Sequence, residues 1–535
     1  MPGARVTGDA AGVVVRGAVL DSRAVRPGDL YAALPGARAH GADFTAAAVA
    51  AGASCVLTDP RGAERAGAPG VPVVVVEDPR AVLGDLAARV HGTGVHAGSG
   101  PAGGRGPVLL GITGTNGKTT TAYLLEGALS ALGRTTGLVG TVETRVAGEV
   151  VASTRTTPEA PDLHALLARM ARAGVEVAAL EVSSHALVLH RVDGAVVDVA
   201  AFTNLSQDHL DFHDDLEDYF AAKASLFTPQ RARRGVVVVD DAWGRRLAAT
   251  ASVPVVTVAT APGQDADWTA RDLVVEGTGT RFVLVGPDGR RLDLRAPLPG
   301  AFNVANTALA AVVLLEAAPL LEGGTSAEDV AAGLARAGAV PGRLEVVAPP
   351  GAPDGGAPDG RAPGEGPPRV LVDYAHTPDA VAAALAAVRP STTGRLVVVL
   401  GAGGDRDRSK RGPMGAAAAR HADVVVVTDD NPRSEDPAAV RAAVLAGATA
   451  PGPESSGRAA PQVLEVADRA SAIRAALDAA GPGGTVLVAG KGHERGQEVA
   501  GVVHPFDDRD EVRAALAAAA RAAAVQAAPD ESESA

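Results

Sequence analysis

The stretch GITGTNGKTTT at positions 111–121 combines the residue types that bind a phosphate group. It follows the apolar run VLLGIT and leads into KTTTAYLLEGALSALG, so we expect a strand, a turn and a helix that ends at Gly133. Backbone N–H groups at such a helix start bind phosphate oxygens, Lys118 can reach terminal phosphates, and the Thr119 hydroxyl suits Mg²⁺. The usual pattern has a glycine where this chain has Ile112. The displaced glycine changes the loop length and leaves the chemistry of phosphate binding intact.

Carboxylate and imidazole side chains follow two other apolar runs. Glu181 ends the run VEVAALE, where it can face the phosphate loop, and FTNLSQDHLDFH (202–213) contains two aspartates and two histidines. Oxygen ligands suit Mg²⁺, and one imidazole can join them. His209 and His213 also have the spacing of a zinc pair, and His213 can equally be a surface residue with its own hydrogen bonds. Because no thiolate is nearby, we prefer Mg²⁺.

Lysine is rare in this chain. Of 49 basic side chains, the lysines are Lys118, Lys223, Lys410 and Lys491. Arginine stays charged in proteins, whereas a buried lysine can lose its proton and react as a free amine. Lys223 lies in DYFAAKASLF (218–227), which has the pattern of an amphipathic helix. A lysine that extends along an apolar surface to water is the simpler explanation, but its scarcity favours a chemical role.

Short valine-rich runs alternate with alanine-rich helical stretches, as in VPVVVVED, VVDVAAF and ADVVVVTDD. Continuous apolar runs flanked by helices indicate buried parallel strands. The polar motifs follow these runs directly, at the strand ends where α/β sheets bind ligands. We predict an α/β fold with three domains, at 1–105, 106–342 and 343–535. The Pro/Gly-rich segment 348–368 is expected to be a flexible insertion and 526–535 a loose tail.

The composition limits the class of protein. A chain of 535 residues is long enough for several domains with separate cores. Its net charge of −13 argues against a nucleic-acid surface, and its single cysteine, Cys55, excludes an internal disulfide framework. No uninterrupted apolar run approaches the roughly 18 residues of a membrane span, and MPGARVTGDA has no apolar signal core. We therefore expect a cytoplasmic protein without nucleic-acid or membrane partners.

A series of motifs that runs through nearly the whole chain resembles the Mur ligases of peptidoglycan synthesis. In order, the motifs are GTNGKTT, EVSSHAL, FTNLSQDHLDFH, YFAAKASLF, FNVANTALAA, VPGRLE, VDYAHTPDA, GAGGDRD, TDDNPR and GKGHE. The resemblance implies an N-terminal UDP-substrate domain, a central P-loop ATPase-like domain with a mostly parallel sheet, and a C-terminal Rossmann-like domain. Within the family, the chain is most similar to the ligases that add the third residue of the stem peptide.

The resemblance also implies the residues around ATP and its metal ions. The expected ATP-binding residues are Gly114, Thr115, Asn116, Gly117, Lys118, Thr119, Thr120, Asn306, Arg343 and Asp373. Two Mg²⁺ ions are expected, with Thr119, Glu181, His209 and Lys223 as ligands, where CO₂ has converted Lys223 into a carbamate (N6-carboxylysine). Lys118, Lys223 and His209 are the expected catalytic residues.

Two other sets are expected to bind the substrates. By resemblance, the segments 19–36 and 154–163 hold the UDP-muramoyl dipeptide, through Leu20, Ser22, Thr156, Thr157, Ser183 and Arg191. The motif DNPR resembles the family's signature for meso-diaminopimelate. The residues expected to bind that amino acid are Arg406, Asp430, Asn431, Pro432, Arg433, Gly490 and Glu494.

The diaminopimelate assignment has a physical basis in three charged residues. Pro432 restricts the turn that presents Arg433 at a strand end, and an arginine there can bind a carboxylate with two parallel hydrogen bonds. Arg406 can face the same cleft, and Glu494 can receive an ammonium group. Because L-lysine lacks the distal carboxylate, it leaves Arg433 unpaired.

The sequence thus predicts a monomeric, ATP-dependent ligase that adds meso-diaminopimelate to UDP-N-acetylmuramoyl-L-alanyl-D-glutamate through an acyl phosphate. A lysine-adding ligase or a folylpolyglutamate synthase is the alternative within the superfamily; the DNPR turn and the N-terminal domain argue against both. An inactive scaffold is opposed by the intact catalytic and metal-ligand residues named above. A small-molecule kinase does not need the third domain.

Overall fold

In a computed structural model, the described residues of the chain form three α/β sheets and one small hairpin. The structure describes residues 3–36, 38–94, 106–151, 155–276, 279–348, 366–450 and 459–527. Most of the expected insertion at 348–368 and of the expected tail at 526–535 lies outside these residues. The domain boundaries at residues 105 and 342 stay predictions, and no described sheet crosses either of them.

The N-terminal sheet has the strand order β1-β5-β4-β3-β2. Only β1 is antiparallel to its neighbour. The strands are β1 (Arg5–Thr7), β2 (Gly17–Val19), β3 (Asp29–Ala32), β4 (Cys55–Thr58) and β5 (Val73–Val75). The helices are α1 (Thr45–Ala50), α2 (Pro60–Ala66) and α3 (Pro79–His91). A hydrophobic cluster lies on each face of this sheet, so the unit has its own core.

The central sheet contains eleven of the described strands. They are β6 (Val108–Thr113), β7 (Thr136–Val139), β8 (Thr144–Val146), β9 (Glu149–Val151), β10 (Val177–Glu181), β11 (Val197–Phe202), β12 (Ala232–Val238), β13 (Val255–Ala259), β14 (Trp268–Glu276), β15 (Gly279–Val285) and β16 (Arg291–Ala296). The helices are α4 (Lys118–Ala131), α5 (Ala160–Arg172), α6 (Ser184–Val188), α7 (Leu216–Ala224), α8 (Ala242–Thr250), α9 (Ala301–Ala317) and α10 (Ala327–Arg336).

The order of the central strands places the predicted motifs side by side. The sheet runs β16-β15-β14-β13-β12-β11-β6-β10-β7-β8-β9 and is parallel from β14 to β7. Strand β6, which precedes the phosphate loop, pairs with β10 on one side and β11 on the other. Since carboxyl ends of parallel strands share one edge, the segments after β6, β10 and β11 must meet. The predicted α/β fold with a mostly parallel central sheet is confirmed.

The C-terminal sheet has the order β17-β18-β22-β19-β20-β21, and only β17 is antiparallel. Its strands are β17 (Glu345–Val346), β18 (Arg369–Asp373), β19 (Leu396–Leu400), β20 (Val424–Val427), β21 (Gln462–Glu465) and β22 (Thr485–Ala489). The hairpin consists of β23 (Gly496–Val499) and β24 (Val502–Pro505). The helices are α11 (Pro378–Val388), α12 (Arg411–His421), α13 (Pro437–Ala448), α14 (Arg469–Ala480) and α15 (Asp508–Ala527).

One described helix, Ala301–Leu320, is long and apolar enough to cross a membrane by length and composition alone. It comprises α9 and the short turn after it, and 72% of its apolar window is buried inside the structure. Its side chains belong to the core cluster on one face of the central sheet. The sequence analysis did not count it as a membrane span because Glu316 and Pro319 interrupt the apolar run. Its burial identifies it as a core helix of this sheet.

The N-terminal unit packs on the central unit through α3 and α5. Gly84 of α3 allows this approach, because a Cβ at that position would lie 2.3 Å from the Asp193 carbonyl oxygen. Arg80 of α3 donates a hydrogen bond of 3.0 Å to Glu159, in the segment expected to hold the muramoyl peptide. The contact therefore ties the N-terminal unit directly to one of the predicted substrate segments.

Candidate active site

The phosphate loop lies between β6 and α4, as predicted, and has two glycines with positive φ. Gly114 has φ 142° and Gly117 has φ 89°. A Cβ on Gly114 would lie 1.9 Å from Thr203 Oγ1, and one on Gly117 would lie 2.3 Å from Asn306 Oδ1. Glycine is therefore required at both positions, for the backbone angle and for the close approach of a neighbour.

The loop is supported by the segment that follows β11. Thr203 donates a hydrogen bond of 2.6 Å to the Asn116 carbonyl, and Asn204 accepts one of 3.0 Å from the Asn116 N–H. The sequence analysis quoted both residues within FTNLSQ but gave them no role. The feature of the sequence that could have identified them is their position directly after a buried strand, at the same sheet edge as the loop.

Two lysines donate hydrogen bonds to the same loop carbonyl. The Lys118 Nζ lies 2.9 Å from the Gly114 oxygen and 2.8 Å from the Thr115 oxygen. The Lys223 Nζ lies 2.8 Å from the Gly114 oxygen and 4.3 Å from the centre of the Tyr219 ring. The Lys223 side chain is 1% exposed, so the interpretation that it extends to solvent is wrong.

This arrangement lowers the pKa of both amines. For Lys223, burial lowers the pKa well below its ordinary value, and the nearby charge of Lys118 lowers it further. For Lys118, burial also lowers the pKa, while Glu181 and Asp208 act against that shift. Burial and the charge of Lys118 therefore favour an uncharged amine on Lys223, and the charge of Lys118 favours an anion beside it.

Glu181, at the end of β10, is buried and points at the start of α4. Its carboxylate accepts hydrogen bonds from the Thr119 hydroxyl at 2.9 Å and from the Thr141 hydroxyl at 3.0 Å. The Thr141 N–H donates to it as well, at 2.8 Å. Thr141 was not predicted from the sequence, because nothing local marks it. The carboxylate and the two hydroxyls provide oxygen ligands of the kind that Mg²⁺ prefers.

His209 lies beside these groups in a strained conformation. Its φ is 56°, and its N–H donates to Asp208 Oδ1 at 2.9 Å. Desolvation lowers the pKa of His209 to about 4, with Asp208 opposing and Lys118 adding to the shift. The imidazole is therefore neutral near pH 7, which is the form that binds a metal. Positive φ at a residue other than glycine is a recurrent feature of functional sites.

His213 is separated from this group. It is buried, its Nδ1 lies 2.8 Å from Asp218 Oδ2, and its Nε2 lies 3.0 Å from Ser184 Oγ. Both ring nitrogens are therefore used, which contradicts a zinc pair with His209. The idea of a surface residue is also wrong, because the side chain is enclosed by α6 and α7. Its hydrogen bonds support the turn that carries His209.

A cavity of about 470 Å³ joins the predicted nucleotide residues. All of the expected ATP-binding set except Gly114 line it, together with Glu181, His209 and Lys223. The C-terminal unit contributes Arg343, whose Nη2 donates to Thr119 Oγ1 at 3.2 Å and whose guanidinium lies 4.5 Å from the centre of the Tyr374 ring. The cavity therefore lies between the central and C-terminal units.

Asp373 lines the cavity from the C-terminal side. Its two oxygens accept hydrogen bonds from Leu344 N at 2.7 Å and Ala375 N at 2.8 Å. Burial raises its pKa. These bonds show that Asp373 also holds the backbone at Leu344 and Ala375 in place.

The expected muramoyl-peptide residues fall into two groups. Thr156 and Ser183 line the cavity, and Thr157 lies behind them with its hydroxyl 2.8 Å from the Glu181 carbonyl. Arg191 does not line the cavity; its Nε forms an ion pair of 2.9 Å with Glu159. Leu20 and Ser22 follow β2 in the N-terminal unit and also lie outside the cavity. The structure thus brings only part of this set to the phosphate loop.

The predicted diaminopimelate residues form a separate cluster in the C-terminal unit. Asn431 Nδ2 donates to Glu494 Oε2 at 2.8 Å, and a Cβ on Gly490 would lie 2.7 Å from Asp430 Oδ2. Arg433 has φ 52°, and its Nη1 donates to the Gly404 carbonyl at 2.6 Å. None of these residues lines the cavity.

Arg406 and Pro432 complete that set at its edge. A Cβ on Gly404 would lie 1.9 Å from the Pro432 carbonyl oxygen, so the DNPR turn packs tightly on the GAGGDRD loop. Arg406 is 59% exposed, and its Nη1 lies 4.0 Å from Asp211 of the central unit. Arg406 is thus placed between the amino-acid cluster and the segment that carries His209.

The residues at the cavity fit Mg²⁺ by their donor chemistry. Thr119 and Glu181 offer oxygen atoms, and His209 offers a neutral imidazole. Within the described ranges, no three His, Cys, Asp or Glu side chains form a group that could hold a metal ion by themselves. Such an ion therefore needs hydroxyl, phosphate or carbamate oxygens in addition.

Comparison with known proteins identifies matching families over most of the chain. Residues 14–91 match the description "Mur ligase family, catalytic domain", residues 112–314 match "Mur ligase middle domain", and residues 361–492 match "Mur ligase, glutamate ligase domain".

Two similar whole proteins carry the same name. A Streptomyces avermitilis protein named UDP-N-acetylmuramoyl-L-alanyl-D-glutamate–2,6-diaminopimelate ligase is 55% identical, covering 94% of this chain and 92% of the relative. A Corynebacterium glutamicum protein of the same name is 49% identical, covering 93% and 91%. A solved structure of an enzyme with that name has a TM-score of 0.61 and 31% identity, covering 95% of both chains.

We expect Gly117→Ala to weaken nucleotide binding about 5- to 30-fold. Alanine at positive φ costs about 1–2 kcal/mol, and its Cβ would displace Asn306 in the cavity. Gly133→Ala is the matched control, because Gly133 also has positive φ, at 81°, but no atom lies within 4 Å of the added Cβ. Calorimetric titration with ATP is the measurement. Unchanged affinity in a folded Gly117→Ala variant would contradict the assignment of the loop.

Proposed function

This chain belongs to the Mur ligase family, and from this premise we infer that it adds meso-diaminopimelate to UDP-N-acetylmuramoyl-L-alanyl-D-glutamate. The reaction consumes ATP and forms an amide between a carboxylate of the D-glutamyl residue and an amine of diaminopimelate. Relatives that carry this activity in their names are 55% and 49% identical over almost the full length of the chain. The product is a precursor of peptidoglycan.

The observation that carries this function is the presence of two separate charged sites in one chain. The phosphate cavity contains the cations and oxygen ligands that a nucleotide requires. The cluster around Arg433 and Glu494 contains a cation for a carboxylate and an anion for an ammonium group. A kinase has no use for the second site, whereas a ligase that joins an acid to an amino acid requires both.

The first step activates the substrate carboxylate. A carboxylate oxygen attacks the γ-phosphorus of ATP, the bond to ADP breaks, and an acyl phosphate forms. Lys118 is placed to neutralise charge on the transferred phosphoryl group, in place of its present bonds to the loop carbonyls. Arg343 adds a second cation at Thr119. Mg²⁺, held by Thr119, Glu181 and His209, would supply further neutralisation of phosphate charge when bound.

The second step joins the amine to the activated acid. The amine nitrogen attacks the acyl carbon, a tetrahedral intermediate forms, and phosphate leaves while the nitrogen loses a proton. The amine must be held close to the acyl carbon and unprotonated. We propose that Arg433 binds the distal carboxylate of diaminopimelate and Glu494 an ammonium group, so that the other amine faces the cavity. Arg406, between the two sites, is proposed to bind a ligand carboxylate.

We propose that CO₂ modifies Lys223. The uncharged amine nitrogen attacks the carbon of CO₂ and releases one proton to solvent, which leaves a carbamate anion on Lys223. Burial and the charge of Lys118 support this reaction, because both favour the free amine. The change places an anion beside the Lys118 cation, which attracts it, and provides oxygen ligands for a second Mg²⁺.

The remaining residues are proposed to bind the UDP-muramoyl dipeptide. Thr156 and Ser183 line the cavity beside Glu181, and the ion pairs of Glu159 with Arg80 and Arg191 connect that region to the N-terminal unit. Leu20 and Ser22 in that unit are proposed to contact the uridine end. We also propose that the enzyme is a monomer and acts in the cytoplasm, where ATP and UDP-linked precursors are available.

Phosphate release by the purified protein tests the proposed function. The assay contains ATP, Mg²⁺ and UDP-N-acetylmuramoyl-L-alanyl-D-glutamate, with meso-diaminopimelate or L-lysine in parallel. We expect release only when both the UDP substrate and meso-diaminopimelate are present. Release with L-lysine instead would support a ligase but contradict diaminopimelate as its amino acid. Release with neither amino acid would contradict both the ligase and the amino-acid assignment.

We expect Lys223→Ala to lower kcat about 10²–10³-fold, because an anion is removed from the reaction centre. Formate or acetate should restore part of the activity by occupying the vacated space. Lys223→Arg is the matched control, since it keeps a cation but cannot form a carbamate, and it should be equally inactive. Labelled CO₂ should appear on the wild-type protein alone. Full activity of Lys223→Ala would rule out the carbamate.

We expect Arg433→Ala to lower kcat/KM for meso-diaminopimelate about 10²–10⁴-fold, since two charge-assisted hydrogen bonds are lost. The KM values for ATP and the UDP substrate should stay within about twofold of wild type, because Arg433 lies outside the cavity. Arg513→Ala is the control for removal of a cation; among the residues that the structure describes, Arg513 pairs only with Asp510 of its own helix. Normal use of meso-diaminopimelate by Arg433→Ala would contradict the proposed carboxylate contact.

A further inference from the structure

Lys491 is one of the chain's four lysines and the mechanism above does not use it. Its side chain is completely buried, in the glycine-rich turn after β22. Its Nζ lies 3.0 Å from Asn431 Oδ1, 3.5 Å from Asp430 Oδ1 and 3.6 Å from Glu494 Oε2. All three partners belong to the set that we propose for diaminopimelate.

Lys491 determines how the Asn431 amide is oriented. Asn431 Oδ1 lies 3.0 Å from the Lys491 Nζ and 3.0 Å from the Glu498 N–H. Both neighbours are donors, so the atom between them must be the amide oxygen. The other end of the amide is then Nδ2, which donates to Glu494 Oε2 at 2.8 Å. The chain of contacts therefore runs from Lys491 through Asn431 to Glu494.

The same contacts leave one oxygen of Glu494 for a ligand. Oε2 receives Asn431 and faces Lys491, whereas Oε1 has no hydrogen bond within the part of the chain that the structure describes. The Glu494 side chain is 33% exposed, so a small molecule can reach it. The Lys491 ammonium group does not occupy the position of a ligand at Glu494 Oε1, because it is hydrogen-bonded to Asn431 Oδ1.

The charges around Glu494 explain why a buried cation is needed. Burial raises the pKa of Glu494, the charge of Asp430 raises it further, and Lys491, the Asn431 hydrogen bond and Arg433 oppose these shifts. Tyr374 also faces Glu494 and is neutral near pH 7, since burial raises its pKa to about 12.

Arg469 is another buried cation nearby, and it is already paired with Asp508. Its Nε and Nη2 donate to that carboxylate at 2.7 Å each, and both side chains are completely buried. A buried pair of this kind compensates its own charge. Lys491 is therefore the buried cation whose charge acts on Glu494, the carboxylate that has one oxygen left for a ligand.

We propose that Lys491 is a positioning residue of the amino-acid site, which orients the Asn431 amide and holds Glu494 so that one carboxylate oxygen receives the ligand's ammonium group. The proposal rests on the proposed function, because it assigns a role within the same diaminopimelate site.

Steady-state kinetics of Lys491→Met test the proposal. Loss of a charge-assisted contact should raise the KM for meso-diaminopimelate about 10- to 100-fold, while the KM for ATP stays within about twofold. The pH at which kcat/KM for meso-diaminopimelate falls on the acid side should move upward, because Glu494 then loses a proton only at higher pH. Arg474→Met, which removes an exposed cation of the same unit, should change neither quantity.

A double-mutant cycle with Glu494→Gln separates this role from a structural one. If Lys491 acts through Glu494, adding Lys491→Met to Glu494→Gln should change the KM by less than about threefold. The proposal would be overturned if the effects of the two substitutions on KM were independent and additive. It would also be overturned if the acid-side fall of kcat/KM did not move to higher pH. If Lys491→Met does not fold, Lys491→Gln is the second variant, because glutamine keeps a hydrogen-bond donor without the charge. The acid-side fall of kcat/KM must still move to higher pH in this variant.

Turnover by the wild-type protein in the same assay distinguishes failure of the Lys491 proposal from failure of the proposed function. Wild-type turnover with meso-diaminopimelate together with unaltered kinetics of the Lys491 variants would refute the role of Lys491 alone. No wild-type turnover with meso-diaminopimelate would refute the proposed function and the role of Lys491 with it.

Discussion

The convergence of two lysines on one carbonyl oxygen is the constraint on which the rest of the active site depends. Lys118 and Lys223 both donate to Gly114 O, at 2.9 and 2.8 Å. Two ammonium groups this close together in a buried site would repel each other, and burial penalises each charge separately, so Lys223 favours its uncharged form. Negative groups that enter the site would offset the charge that remains on Lys118. The proposed phosphates of a nucleotide in front of Lys118 and the proposed carbamate on Lys223 would both supply such negative charge.

The parallel sheet explains how this arrangement arises from distant parts of the chain. Strands β10, β6 and β11 are neighbours, and their carboxyl ends carry Glu181, the phosphate loop and the segment with Thr203 and His209. Helix α7 then brings Lys223 to Gly114, 109 residues away in sequence. No single element contains the site; the order of the strands assembles it.

The two charged sites are separated, and each of them contains residues with strained backbone angles. His209, Leu344 and Arg433 have φ of 56°, 44° and 52°. Such angles cost about 1–3 kcal/mol each for residues other than glycine, and here they are held by hydrogen bonds to Asp208, Asp373 and the β23 strand. Arg406 near Asp211 and Arg343 at Thr119 connect the C-terminal unit to the central one. These contacts lie where the central and C-terminal units meet.

The sequence by itself determined the elements and the chemistry that they carry. Apolar runs predicted the buried parallel strands, and GKT after a strand predicted the phosphate loop, because both patterns are local in the chain. Tertiary structure alone decided which polar groups are buried together. It placed His213 on Asp218 and Ser184, brought Thr141 to Glu181, enclosed Lys223, and set Lys491 against Asn431, 60 residues away. Burial and pairing are properties of contacts between distant segments, so no local pattern could reveal them.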